Sequence, residues 1–185
     1  MNEGFDPRFV SALLVLYAAG IGAVAGGNYA ALQALLLEAF LFENEREIPV
    51  GIRIFPNAVF QPQIGHLLKG FERDHTPLSH YLEAALRESL RPVITADRAY
   101  VDAFDRFEYL VALVRADYEL QQSRGGWAPI GCFGWRRRIM KVIDKEIETQ
   151  GVTWPAFRLF GGTSFDRLTA AREVIKQIIP ASWGW

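Results

Sequence analysis

The sequence predicts a mainly α fold, a single-domain helical bundle of about six or seven helices around one long central helix, with a minor β element near 49–55. Three observations carry this. Residues 95–122 hold the longest uninterrupted helical pattern, residues 9–37 contain no charged side chain, and further apolar runs with helical spacing are bounded by capping or breaking residues. A chain of 185 residues buries about 70% of its unfolded surface as one domain. Half of its residues are hydrophobic and 13% aromatic, so a core forms without staples and wholesale disorder is excluded.

The central helix is the most strongly patterned element. Tyr100, Phe104, Phe107, Val111, Val114 and Tyr118 recur at spacings of four and three, which keeps them on one face. Thr95 suits the N-cap, Asp97 lies in the first turn where the helix dipole favours an acid, and Gly125-Gly126 ends the run. Beside the stripe, Arg98 with Asp102, Asp102 with Arg106 and Arg115 with Glu119 are spaced for ion pairing along a solvated face. Asp105 and Glu108 sit one turn apart next to the stripe, as paired carboxylates for metal binding or acid/base chemistry would.

Ahead of this spine, residues 7–42 read as an apolar helical hairpin. Its arms are Pro7–Ala19 and Asn28–Phe42, joined by a glycine-rich turn, Gly20–Gly27. Length alone also fits a membrane span, and Gly22 and Gly26 have GxxxG spacing, but Ser11, the glycines, Gln33 and Glu38 dilute the run and favour a buried hairpin. Glu3 and Asp6 in the leader argue against a signal peptide. Glu43, Glu45, Arg46 and Glu47 then form a solvated end to the second arm. In the β element, bracketed by Pro49 and Pro56, Val50, Ile52 and Ile54 alternate with Gly51, Arg53 and Phe55, and 58–60, 92–94 or another chain would supply the partner strand.

The central helical core, 62–122, opens with a short helix, Gln63–Arg73, carrying Ile64, Leu67, Leu68 and Phe71 on its apolar side. A second starts at Thr76-Pro77 with Leu78, Leu82, Leu86 and Leu90 inward. His66, His75 and His80 fall in this region. The positions of His75 and His80 around the cap bring them together as a hydrophobic staple would, with Glu72 or His66 available to complete a metal site. Glu72-x-x-His75 matches half of a di-iron pattern whose second half is missing.

Residues 124–149 form a basic loop and helix. Between Arg124 and Lys145, the cations Arg124, Arg136, Arg137, Arg138, Lys141 and Lys145 stand against a single acid, Asp144, in a chain whose net charge is −1. With Trp127 and Trp135 interleaved, this segment could hold phosphate groups or stack on bases of single-stranded nucleic acid, although it lacks a Walker loop and a dinucleotide fingerprint. Alternatively, its cations pair with an acidic surface such as the spine helix. Cys132, the lone cysteine, reads as a packing residue in a reducing compartment. Trp154, Phe157 and Phe160 precede a C-terminal helix, 164–179, introduced by a capping box at Thr163 to Asp166. Trp183 and Trp185 at the terminus suit an interface.

No catalytic or cofactor motif is assembled. The leading expectation is therefore a non-enzymatic, cytoplasmic protein–protein interaction or adaptor module, a subunit of a larger assembly whose partner is another chain or a second copy. The alternative is a nucleic-acid or phosphate-ligand binder using 124–145. The third is a metal-dependent hydrolase or nuclease using His75, His80, Asp105 and Glu108.

Overall fold

A computed structural model describes residues 8–43, 46–52, 68–71, 74–161 and 165–179. The fold is mainly helical, with one small β element. Helix α1 (Arg8–Ala25) runs unbroken through Gly20 and Gly22. Gly20 marks its close approach to the central helix, because a Cβ there would stand 2.0 Å from Cε2 of Phe107. The turn is only Gly26-Gly27, with Gly27 at φ +66°. Asn28 then caps α2 (Tyr29–Gln33), its Oδ1 accepting from the Ala31 N–H at 3.0 Å.

The hairpin is thus present with different boundaries. Its first arm extends to Ala25, and its second passes into a single π turn, Ala34–Glu38, rather than continuing to Phe42. Strand β1 (Phe40–Glu43) follows and pairs antiparallel with β2 (Arg46–Pro49), Phe40 opposite Pro49 and Glu43 opposite Arg46. The β element therefore reaches Pro49 from the N-terminal side, and Glu43, Arg46 and Glu47 of the acidic segment read as a helix end lie in these strands. Pro49 has no N–H with which to extend the ladder, and residues 50–52 turn helical. Gly51 is pressed against Leu36, where a Cβ would meet the Leu36 carbonyl oxygen at 2.9 Å. Residues 53–60, including Ile54, lie outside the described residues.

Helix α3 (Pro77–Leu90) starts at the expected proline and buries Leu78, Leu82, Leu86 and Leu90. Of the short helix expected over 63–73, residues 68–71 form a turn, and His66 and Glu72 lie outside the described residues. Helix α4 (Asp97–Gln121) is the spine, about 38 Å long at 1.5 Å per residue. The basic segment forms two helices instead of one, α5 (Cys132–Arg136) and α6 (Arg138–Gln150), separated by Arg137 in the left-handed region at φ +53°. Two 3-10 segments, Gly151–Thr153 and Pro155–Phe160, seat Trp154, Phe157 and Phe160 in the core before α7 (Phe165–Ile178). Trp183 and Trp185 lie outside the described residues.

Helix α4 touches α1, α3, α5, α6, α7 and the second 3-10 segment. Surrounded in this way, it buries Phe104, Phe107, Leu110, Val111, Leu113 and Val114, and also Asp105, Glu108, Asp117 and Glu119. Helix α1 sends Leu13, Leu16, Tyr17, Ile21 and Val24 into the same core. No helix among the described residues is long and apolar enough to cross a membrane.

Candidate functional site

Where α1, α3, α4 and α5 meet, the apolar core gives way to a polar cluster centred on Glu108, which is 2% exposed. Its Oε1 accepts hydrogen bonds from the Tyr17 hydroxyl at 2.9 Å and the Ser79 hydroxyl at 2.6 Å. Ser79 in turn accepts from the Cys132 backbone N–H at 3.0 Å, and its Oγ stands 3.1 Å from Cys132 Sγ. With the one Ser79 proton directed to the carboxylate, the thiol is the donor in that last contact. Glu108 Oε2 has no hydrogen-bond partner among the described residues. It lies over Gly131, where a Cβ would come within 2.2 Å of it, so only glycine admits the carboxylate beside Cys132.

A layer of ion pairs adjoins the cluster. Arg136 donates to Asp105 at 2.7 Å and also pairs with Glu83. Arg87 donates to the other oxygen of Glu83 at 3.0 Å and to Asp97 at 3.2 Å, its guanidinium 5.0 Å from the centre of the Tyr100 ring. The Tyr100 hydroxyl closes the arrangement by donating to the Glu83 carbonyl at 2.7 Å. Three buried carboxylates, Glu83, Asp105 and Glu108, therefore face two guanidiniums.

That imbalance sets the protonation behaviour. Burial pushes the Glu108 carboxyl up to about 7 against the hydrogen bonds from Ser79 and Tyr17, with the Asp105 charge adding to the rise. Burial likewise raises Asp105 to about 6, opposed by Arg136 and reinforced by Glu83. The Cys132 thiol is held well above its ordinary range, by burial first and by the Glu108 charge second, so it stays protonated and is a poor nucleophile.

Asp105 and Glu108, paired in the sequence reading, thus share one buried site. The two histidines divide: His75 stacks on Trp135 with ring centres 4.3 Å apart, whereas His80 has Nδ1 4.0 Å from Asp74 Oδ2. His80 also forms a cluster with Glu83 and Cys132, one potential ligand atom from each lying within 4.8 Å of the others. Tyr17, Ser79 and Glu83 were not singled out from the sequence. His80-x-x-Glu83 carried a signal, since that spacing places both on one face of α3, whereas Tyr17 and Ser79 join only through tertiary packing.

Part of the basic segment is engaged within the molecule. Arg136 pairs with Asp105 and Glu83, and Arg138 with Asp102. Trp135 stacks on His75, and Trp127 lies under the Arg115 guanidinium at 5.6 Å. Arg124, Lys141 and Lys145 are exposed. Arg137 and Lys141 line a hollow of ≈ 310 Å³ together with Met140, Asp144, Lys176 and Ile179. The acid in that hollow, Asp144, pairs with Arg172.

A different surface lies on the outer side of α1. Ser11, Val15, Ala19 and Ala25 are exposed there, and Leu14, Ala18, Gly22 and Ala23 are half-buried. A hollow of ≈ 390 Å³, lined by Ser11, Ala12, Val15, Leu16, Leu35 and Val50, opens beside it. Val15 is 69% exposed, and Phe40, at the start of the neighbouring strand, is 51% exposed. Gly22 differs from Gly20 in that a Cβ would meet nothing within 4 Å, so no packing among the described residues calls for glycine at that position. Comparison with protein-family models, with curated proteins and with solved structures finds no match.

Proposed function

We propose that the protein is a non-enzymatic interaction module, a subunit of an assembly, and that it docks through the outer face of α1. The observation supporting this reading is an exposed helix face that carries no charged side chain from Ser11 to Ala25, continuous with the apolar hollow beside Val15. Water meets this surface at a cost that burial against another apolar face removes, at about 25 cal/mol per Å². Gly22 leaves the C-terminal half of the face flat, so another helix backbone can approach closely.

The occupant that fits best is α1 of a second copy. A two-fold contact places the same surface on itself, and a face lacking charge does so without burying an unpaired ion. The nucleic-acid reading has less support, because Arg136, Arg138, Trp127 and Trp135 are engaged inside the chain. Sedimentation velocity across a concentration series tests the proposal. It predicts a wild-type dimer and a Val15→Glu monomer that keeps its helical circular dichroism, and a wild type that stays monomeric throughout overturns it.

A further inference from the structure

We propose that His80, Glu83 and Cys132 form a binding site for a divalent transition-metal ion of the zinc type. One potential ligand atom from each lies within 4.8 Å of the other two. Tetrahedral zinc, bound at about 2.0–2.3 Å, spaces its ligand atoms about 3.3–3.8 Å apart. The three atoms are therefore within about 1 Å of that spacing. Rotation of the His80 and Glu83 side chains, one turn apart on α3, closes the difference. Thiolate, imidazole and carboxylate together are the donor set of a borderline-soft ion, rather than of magnesium or calcium.

A buried acid adjoins the cluster: Glu108, 2% exposed, accepts from the Ser79 hydroxyl, whose Oγ stands 3.1 Å from Cys132 Sγ, so its charge favours a cation bound nearby. On binding, the thiol proton leaves to solvent and its sulfur lone pair goes to the metal.

The Arg87 and Arg136 guanidiniums each hold one Glu83 oxygen and leave it a further lone pair. Asp74 near His80 Nδ1 supplies the carboxylate that ligating imidazoles commonly have behind them. Access from solvent is open, since His80, Glu83, Arg87 and Arg136 line a surface hollow of ≈ 250 Å³ with Phe71 and Ala84.

Cobalt(II) added to the full chain after chelator treatment and gel filtration tests this. The expected result is one cobalt per chain with a thiolate-to-metal charge-transfer absorption, displaced by zinc. Cys132→Ser removes that absorption. His80→Gln, a change at a half-buried position, weakens binding at least about tenfold while the melting temperature of the metal-free protein stays unchanged. No charge-transfer absorption in the wild type, or equal cobalt affinity in His80→Gln, overturns the proposal. Should Cys132→Ser fail to fold, the wild-type spectrum and the His80→Gln affinity still decide it.

Discussion

Replacing Glu108 with glutamine removes an ionisation from the middle of the core while keeping the side-chain shape. In the wild type, burial raises this carboxyl from 4.5 to about 7. The folded state therefore binds the proton more tightly than the unfolded chain, and the linkage slope is negative between the two values: stability is greater at low pH and falls as pH rises through the folded value. Below the unfolded value both states are protonated and the effect is level. Between pH 5 and pH 8 the loss amounts to about 2.5 kcal/mol. For a domain of this size that is a change of about 5–10 °C in melting temperature.

Glutamine cannot ionise, so Glu108→Gln lacks this component. Its amide, placed where Oε2 lacks a partner, adds an offset of about 1–3 kcal/mol that does not vary with pH. The quantity to measure is therefore the wild-type-minus-variant difference in unfolding free energy, from urea titrations in the presence of chelator at several pH values. Going from pH 5 to pH 8, that difference should move by about 2.5 kcal/mol in favour of the variant. A constant difference, or one moving toward the wild type, would refute the reasoning that Glu108 is buried at an energetic cost when charged.

Two further substitutions probe other parts of the structure. Gly20→Ala drives a methyl group into the Phe107 ring and should cost about 1–3 kcal/mol, whereas Gly22→Ala, with open space around it, should raise stability by up to about 1 kcal/mol. Thermal melts of the two variants side by side check the opposite signs. Arg136→Met leaves Glu83 and Asp105 short of a cation. Because Arg136 is 32% exposed, a loss of about 2–3 kcal/mol at pH 8 is expected, below the range for fully buried pairs. That loss should shrink toward pH 5 as Asp105, whose carboxyl burial raises to about 6, takes up its proton. Urea unfolding at the two pH values reads this, and a loss that does not vary with pH would contradict it.

The fold was legible where one pattern dominated. The spine followed from Tyr100, Phe104, Phe107, Val111 and Val114, and α3 from Pro77 and its leucine stripe. The spine's charged residues misled because they read as a solvated face. With helices on several sides of α4, Asp105, Glu108, Asp117 and Glu119 are buried instead. Some of their cations come from distant elements, Arg136 for Asp105 and Arg167 for Asp117, while Arg115 pairs with Glu119 at the expected four-residue spacing. Asp102 and Arg106, expected to pair with each other, find Arg138 and Glu146. Local spacing offers a pairing that tertiary contact overrides.

The displaced β element has a similar origin. Period-two alternation in Val50, Ile52 and Ile54 suggested a strand, but Ile52 is buried from a helical turn, and the close approach of Gly51 to Leu36 fixes that segment. Phe40 to Glu43 looked like the tail of an apolar helix, since a short apolar run cannot distinguish the two conformations. Within the candidate site, Asp105 and Glu108 could be named from their spacing. Glu83 and Ser79 on α3 and Tyr17 on α1 join that pair through tertiary packing.

Cross-linking tests docking through α1 most directly. Ala19 is exposed in the middle of that face, whereas Cys132, the one native cysteine, is buried. A two-fold contact between α1 helices brings the two Ala19→Cys side chains within bonding range, and a disulfide forms only when the Cα atoms are within about 7 Å. Mild oxidation of Ala19→Cys should give a disulfide-linked dimer at low protein concentration, while the exposed control Gln150→Cys on α6 gives none. Equal cross-linking at both positions, or none at Ala19→Cys, would contradict the account.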